Sequence, residues 1–589
     1  MKDFLKYVLA TIVGVIALSV IMGIFSIISL IGMIAASETT TVVKENSVLS
    51  LTLNSAVEER AKEDPFAQFT GQETGAMGLD EILTAIDKAK SNENIKGIYI
   101  EAGLFAPDAP ATSQAIRNKL VDFKESGKWI VAYGEQFTQS AYYVCSAADK
   151  IYLNPQGLVD WHGMASQPIF FKNLLAKFGV KVQLTKVGKY KSAPEMLTAD
   201  GMSEPNREQV SAYINGIWDV MLDDVSKSRN ISKDSLNNYA DRYLAFTSQE
   251  ELVKMNIVDS LIYTDAVKGE IKKMLEIDDN ETINQISAGE MANLPAKDNK
   301  GENIAVYYAY GDIVDTNTGG INSDACIAGD VVCKDIEKLT NDEDIKAVVL
   351  RINSGGGSAY ASEQIWNAVM KLEEKKPVVV SMGGYAASGG YYISSPANYI
   401  FAEPTTITGS IGIFGMFPDF SQLLTDKLGI KFDEVKTNKM AGFGTMARPF
   451  NEDEMTMLNA YIGRGYELFR KRVADGRNMP VEEVEEIAQG RVWLGTDALV
   501  IKLVDELGGL DKAVAKAAEL ANIDEYYTSS YPAAPNWMEM LMAKANKNNY
   551  LDEQMHETLG EYYEPFMFVK NINKHNAIQA RMPYTLIMK

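Results

Sequence analysis

"NDEDIKAVVLRIN" (Asn341–Asn353) and "SNENIKGIYIEAG" (Ser91–Gly103) follow one plan: a polar turn, then a short apolar run that ends at small or amide residues. The likeness continues outward from this pair. "SEQIWNAVMKLEEKKPVVVSMGG" (Ser362–Gly384) follows the pattern of "SQAIRNKLVDFKESGKWIVAYGE" (Ser113–Glu135), and "GGYYISSPANYIFAEP" (Gly389–Pro404) matches "SAYYVCSAADKIYLNP" (Ser140–Pro155). "NAYIGRGYELF" (Asn459–Phe469) pairs with "SAYINGIWDVM" (Ser211–Met221). The offset stays at about 249 residues throughout. A constant register over so many segments means two copies of a whole domain, not a short-period solenoid.

Within each copy, apolar runs such as "AVVLRI" (Ala347–Ile352) and "PVVVSM" (Pro377–Met382) bracket a helical pattern with Ile365, Val369 and Leu372 on one face. Strands alternating with helices predict parallel βαβ units and an α/β fold. The copies are expected at 37–275 and 304–530. The polar stretch 276–303 between them reads as a linker, and the Met-rich segment 531–589 as a tail that packs on the body or on a neighbouring subunit.

Residues 7–36 carry no charge and exceed the roughly 20 residues that cross a bilayer as a helix. They are also longer than the roughly 7–15-residue apolar core of a cleaved signal peptide, so a retained anchor is expected. Lys2 and Lys6 place residues 1–6 in the cytoplasm and the chain after Ser37 outside. The net charge of −22 excludes a nucleic-acid partner. Three cysteines are too few for a disulfide framework, and the spacing leaves the state of Cys326 and Cys333 open. No metal or cofactor motif is present.

Chemistry should appear where the copies differ. Ser388, in "AASGGYY", stands opposite Gln139; "RINSGGGSAY" (Arg351–Tyr360) stands opposite "EAGLFAPDAP"; "TITGSIGIFG" (Thr406–Gly415) stands opposite "GLVDWHGMAS". A glycine run at a strand end frees backbone N–H groups that can hold an oxyanion, whereas "GGGSAY" is no phosphate-binding GxxxxGK[ST] loop. The chain has three histidines, and none falls near these motifs in the second copy: His162 lies in the first copy, His556 and His575 in the tail. Lysine remains as a base, provided that burial keeps it neutral. Of Lys186, Lys189 and Lys191 in "LTKVGKYKSAPEM", Lys191 faces Met440 or Ala441 in the other copy and is another asymmetric residue.

These motifs, "NSGGGS", "AASGGYY", "TGSIG" and, in the first half, "GKYKSA" (Gly188–Ala193), resemble those of the family S49 Ser/Lys peptidases in their long, duplicated signal-peptide-peptidase form. The likeness runs from the apolar N-terminus through both copies to the closing "QARMPY" (Gln579–Tyr584). It implies tandem Clp-protease/crotonase-like domains, a membrane-anchored homotetramer, and cleavage of signal-peptide remnants and other apolar peptides on the outer face of the cytoplasmic membrane. It implies Ser388 as nucleophile, Lys191 as general base, Ser410 orienting the lysine, and the N–H groups of Gly356 and Gly389 as the oxyanion hole, with no metal or cofactor. One departure is Gly355, where the family pattern has proline and its fixed φ. The rival readings are a crotonase-type acyl-CoA enzyme, which leaves the Ser388–Lys191 asymmetry unexplained, and a non-catalytic tethered binding protein, which a missing serine or lysine would favour, and neither is missing.

Overall fold

The structure is a computed structural model that describes residues 42–60, 76–295, 300–317, 326–533 and 578–582, with six isolated positions before them. Most of the stretch 7–36, expected to be an anchor, lies outside these residues, as does most of the tail. Among the described residues no helix is long and apolar enough to cross a membrane.

The first half is built on strands β1 (Ser47–Leu53), β2 (Ile95–Ala102), β3 (Trp129–Phe137) and β4 (Lys150–Val159). Between them run helices α1 (Leu79–Ser91), α2 (Pro110–Lys124) and α3 (Gln139–Cys145). After β4 come an arm strand β5 (Lys181–Lys186), the long helix α4 (Glu204–Arg229), β6 (Ser260–Leu261), α5 (Thr264–Leu275), β7 (Asn284–Ser287) and α6 (Ala288–Ala292). The sheet is parallel, in the order β7-β1-β2-β3-β4-β6. Helix α1 buries Leu79, Ile82, Ala85, Ile86 and Ala89, the three-and-four spacing of a helix with one apolar face.

The second half repeats the plan with β8 (Glu302–Tyr310), β9 (Asp312–Val314), β10 (Cys326–Ala328), α7 (Gly329–Asn341), β11 (Ile345–Ser354), β12 (Gly356–Ser358), α8 (Ala359–Glu373), β13 (Val378–Ala387) and α9 (Gly389–Ser394). It continues through β14 (Tyr399–Ala402), β15 (Ile407–Gly409), β16 (Phe414–Asp419), α10 (Glu452–Arg477), β17 (Val492–Leu494), α11 (Leu510–Leu520) and β18 (Tyr526–Tyr531). Its main sheet runs β17-β15-β13-β11-β8-β18, with β14 beside β13. Every residue of β13 is buried, the mark of a parallel strand covered by helices on both faces.

One expectation needs correction. The polar stretch 276–303 is not a bare linker: β7 lies parallel to β1 from Ser47 to Ser50, and α6 follows it behind a Ser287–Glu290 capping box. Four residues with one buried apolar side chain, Ile286, are too short to show a period. What holds them is the open edge of β1. The equivalent strand of the second half is β18, on the edge of β8.

The halves are not separate bodies. A second sheet, β10-β9-β12-β19-β16-β5, contains β19 (Ile578–Arg581) and crosses between them: β5 of the first half runs antiparallel to β16 of the second, from Lys186 opposite Phe414 to Lys181 opposite Asp419. The first-half core also takes in Tyr385, Ala387, Ile407, Val492 and Leu494 from the second half.

Candidate active site

Strand β13 ends at Ala387, and the chain must turn at once into α9. Ser388 makes that turn with φ 56° and ψ −112°, a conformation that a non-glycine residue rarely adopts. Its N–H donates to Gly409 O at 2.7 Å, while its carbonyl accepts from Tyr392 N inside α9. Gly389 and Gly390 follow because nothing larger fits: a Cβ on Gly389 would stand 2.7 Å from Ser362 Oγ, and one on Gly390 2.6 Å from the Ser354 carbonyl oxygen. Ser388 is fully buried.

Lys191 arrives from the first half, on the segment after β5, and is also fully buried. Its Nζ lies 2.6 Å from Ser388 Oγ and 3.0 Å from both the carbonyl oxygen and the Oγ of Ser410. No carboxylate among the described residues pairs with it, and burial alone pushes its pKa well below the ordinary lysine value. Ser410 has a left-handed backbone as well (φ 51°); its N–H donates to Arg491 O at 2.6 Å and its Oγ to Gly490 O at 3.3 Å.

The glycine loop lies on the other side of Ser388. Gly356 has φ +99°, and a Cβ there would stand 2.7 Å from Gly389 N, so the two amide groups sit side by side. The Gly356 N–H donates to Ser354 Oγ at 3.1 Å, and Ser354 Oγ donates in turn to Gly311 O at 2.6 Å. Gly355 lacks the fixed φ of a proline, but its carbonyl is held by Met582 N at 2.6 Å.

The five residues singled out in the sequence thus come together, and the alternatives do not. Lys186 is exposed and donates to the Lys191 carbonyl at 3.1 Å; Lys189 lies over the Tyr190 ring, 4.9 Å from its centroid. His162 bonds Asp160 at 2.7 Å and packs edge-on to Tyr243, in the first half. His556 and His575 lie outside the described residues. Cys333 is a free thiol. At the position equivalent to Ser388, Gln139 is buried, its Oε1 accepting from the backbone N–H groups of His162 and Gly163 at 3.0 and 2.9 Å. The first copy therefore has at this position an amide held by backbone N–H groups and no nucleophile.

Sequence reasoning missed the clamp on the lysine. Tyr190 N donates to Gln489 O, and a Cβ on Gly490 would stand 2.7–2.8 Å from the Lys191 backbone and Cβ. Gln209 on α4 donates to Tyr190 O at 3.0 Å and Ser192 Oγ at 2.9 Å, while its Oε1 accepts from Val492 N at 3.2 Å. The signal available was one glycine in "AQGRVW", too little to assign from sequence.

A buried, strained serine beside a buried lysine without a counter-ion, in a strand–turn–helix corner, belongs to the class of serine hydrolases. Comparison with known proteins narrows this. The profile of Peptidase family S49 matches twice, over residues 114–278 and 370–524, and that of Clp protease matches residues 321–406, which include Ser388. Protease 4 of Salmonella typhi is 38% identical over 471 residues, 79% of this chain and 75% of that protein. The chloroplastic serine protease SPPA of Arabidopsis thaliana is 29% identical over 82% of this chain and 70% of that protein. A putative signal peptide peptidase SppA of Enterococcus faecium is 32% identical over 209 residues, 34% of this chain and 60% of that protein. The chain belongs to peptidase family S49, in its long, duplicated form, and is a serine peptidase with Clp-protease-like domains. The acyl-CoA reading is set aside.

Proposed function

We propose that this protein is a membrane-tethered endopeptidase with a Ser388/Lys191 dyad that degrades signal-peptide remnants and other apolar peptides on the outer face of the cytoplasmic membrane. The observation that carries the reading is the 2.6 Å approach of Lys191 Nζ to Ser388 Oγ, with no carboxylate among the described residues paired to the amine. A neutral amine has two N–H bonds and one lone pair. With its N–H bonds directed at the carbonyl and Oγ of Ser410, the lone pair faces Ser388.

Lys191 then takes the Ser388 proton as Oγ attacks the scissile carbonyl. In this reading the Gly356 and Gly389 N–H groups supply the donors for the developing oxyanion, the Gly356 N–H giving up its bond to Ser354 Oγ to do so. The protonated Lys191 passes its proton to the leaving amine; neutral again, it takes a proton from the water that attacks the acyl-serine and returns it to Ser388 Oγ as the acyl group leaves as a carboxylic acid. The uncharged stretch 7–36 supports the tether, and likeness to the putative signal peptide peptidase SppA of Enterococcus faecium supports the substrate class. A homotetramer is part of the same reading, by likeness to the family.

The test uses the full chain in detergent with a fluorogenic apolar peptide. Ser388→Ala and Lys191→Ala are each expected to lose at least about 10³-fold in kcat/KM, and Lys189→Ala to stay near wild type. Near-normal turnover by Lys191→Ala would remove the lysine from the mechanism.

A further inference from the structure

Lys191 comes from the first half and Ser410 from the second, so something must hold the two in register across the seam. The run Gln489–Arg491 lies between them. Its Gln489 carbonyl accepts from Tyr190 N at 3.0 Å, and a Cβ on Gly188 would collide with the same residue. Its Arg491 carbonyl accepts from Ser410 N at 2.6 Å, and its Gly490 carbonyl from Ser410 Oγ at 3.3 Å. Three residues of main chain therefore back both the lysine loop and the Ser410 turn.

The Arg491 side chain closes the seam. Its guanidinium lies between two rings, 4.9 Å from the centroid of Tyr190 in the first half and 4.4 Å from that of Trp493 in the second. Nη1 donates to Tyr190 Oη at 3.1 Å and to Glu208 Oε1, on α4, at 3.0 Å. Trp493 is itself fixed: its Nε1 donates to Ile487 O at 2.9 Å, and a Cβ on Gly409 would stand 2.8 Å from its ring. Lys189 also faces the Tyr190 ring, 4.9 Å from its centroid. The Glu208 side chain is 53% exposed, so the ion pair alone holds little, and the clamp resides in the stack. A planar cation between two aromatic faces, with donors along its edge, is an arrangement that lysine does not reproduce. At the matching position of the first copy, about 249 residues earlier, Arg242 is exposed. Both halves have the arginine, and it is enclosed in the half where the lysine loop docks.

We propose that Arg491 is a positioning residue for the peptidase reaction: its main chain fixes Ser410, its side chain fixes Tyr190, and together they set where the Lys191 amine stands against Ser388. The inference rests on the Ser388/Lys191 reading, because the alignment of that amine matters to the rate only if it is the base. Loss of the side chain leaves the main-chain bonds in place and releases the Tyr190 side of the loop. Burial is what depresses the Lys191 pKa, so an amine that slips from Ser410 toward water regains a higher one.

Arg491→Ala in the full chain in detergent tests this. On the fluorogenic peptide kcat is expected to fall about 10²-fold, with KM within about twofold of wild type. The rising limb of rate against pH is expected to move upward by about one pH unit, both in turnover and in the labelling of Ser388 by a fluorophosphonate. Arg491→Lys keeps a charge opposite Glu208 without the planar face. It is expected to recover part of the rate, with its limb between the other two, and it carries the test if the alanine chain does not fold. A merely structural role would lower the fraction of Ser388 that is labelled at completion and leave the limb in place. That result, or a kcat close to wild type in a folded variant, would overturn the proposal. Lys191→Ala, run alongside, separates the two readings. Normal turnover by that chain defeats the dyad, whereas an inert Lys191→Ala beside Arg491 variants with an unmoved limb defeats this inference alone.

Discussion

At the scale of single residues the site is a conflict between stability and chemistry. Burial of Lys191 without a counter-ion means that the folded chain holds its proton more weakly than the unfolded chain. Between the lowered folded pKa and the ordinary lysine value the unfolded state binds more protons, so stability rises with pH across that window. Below the folded pKa the full cost is present. Lys191→Met, of similar length and apolar, is therefore expected to abolish turnover while stabilising the fold by about 1 kcal/mol at neutral pH, read as a higher Tm. A lower Tm would mean that the contacts to Ser388 and Ser410 outweigh the burial. In the wild type kcat/KM is expected to rise with pH through the lowered lysine pKa, because only the neutral amine accepts the proton. A rate flat into mildly acidic pH would exclude it as the base. Gly490 is the nearest check on position: with φ +77° and the Lys191 backbone 2.7 Å from any Cβ, Gly490→Ala must displace the lysine. A misplacement of about 1 Å costs about 10²-fold in kcat, with KM little changed. The candidate serine and lysine could be picked out in the sequence because duplication supplied an internal control, a partner position lacking each. Gly490 and Gln209 were not, since their roles consist of close approaches between positions far apart in the chain.

At the scale of elements, strand β11 is fixed to the first half by a buried network. Glu59 and Arg351 pair at 2.5 Å, both nearly inaccessible, and Arg351 also donates to Ser381 Oγ and Met382 O. Asn353, three residues before Gly356, donates to Asp108 at 2.8 Å and accepts from Tyr385 N. Removing one partner strands a buried charge, so Glu59→Ala is expected to cost about 3–5 kcal/mol in chemical denaturation. A loss below about 1 kcal/mol would mean that water reaches the guanidinium. Asp108 has its pKa raised to about 6 by burial, and Glu403 to about 7 for the same reason. Both bind protons more tightly folded than unfolded, so their contribution is full below the ordinary carboxyl range and is lost as pH rises through those values. Asp108→Asn should flatten the fall in stability between about pH 4 and 6, with Tm against pH as the measurement. The βαβ core was readable from apolar runs and helical spacing. The edge strand β7 was not, because pairing to β1, rather than its own pattern, makes it a strand.

At the scale of the whole molecule, duplication did not yield two independent domains. Second-half side chains Tyr385, Ala387, Ile407, Val492 and Leu494 complete the first-half core, β5 and β16 form one ladder, and the lysine of one half reaches the serine of the other. A half on its own would expose those apolar faces and leave Glu59 or Arg351 buried without its partner. The expected outcome is one cooperative unfolding transition for the whole chain, although a duplicated sequence invites two. Tryptophans sit in both halves: Trp161 is buried in the first-half core, and Trp366 packs under Arg472 in the second. Urea curves followed at each tryptophan, with the others replaced by phenylalanine, should therefore share one midpoint and one slope. Two separated midpoints would show that the seam is weaker than the cores it joins, and would predict that the lysine can part from the serine without unfolding of either half.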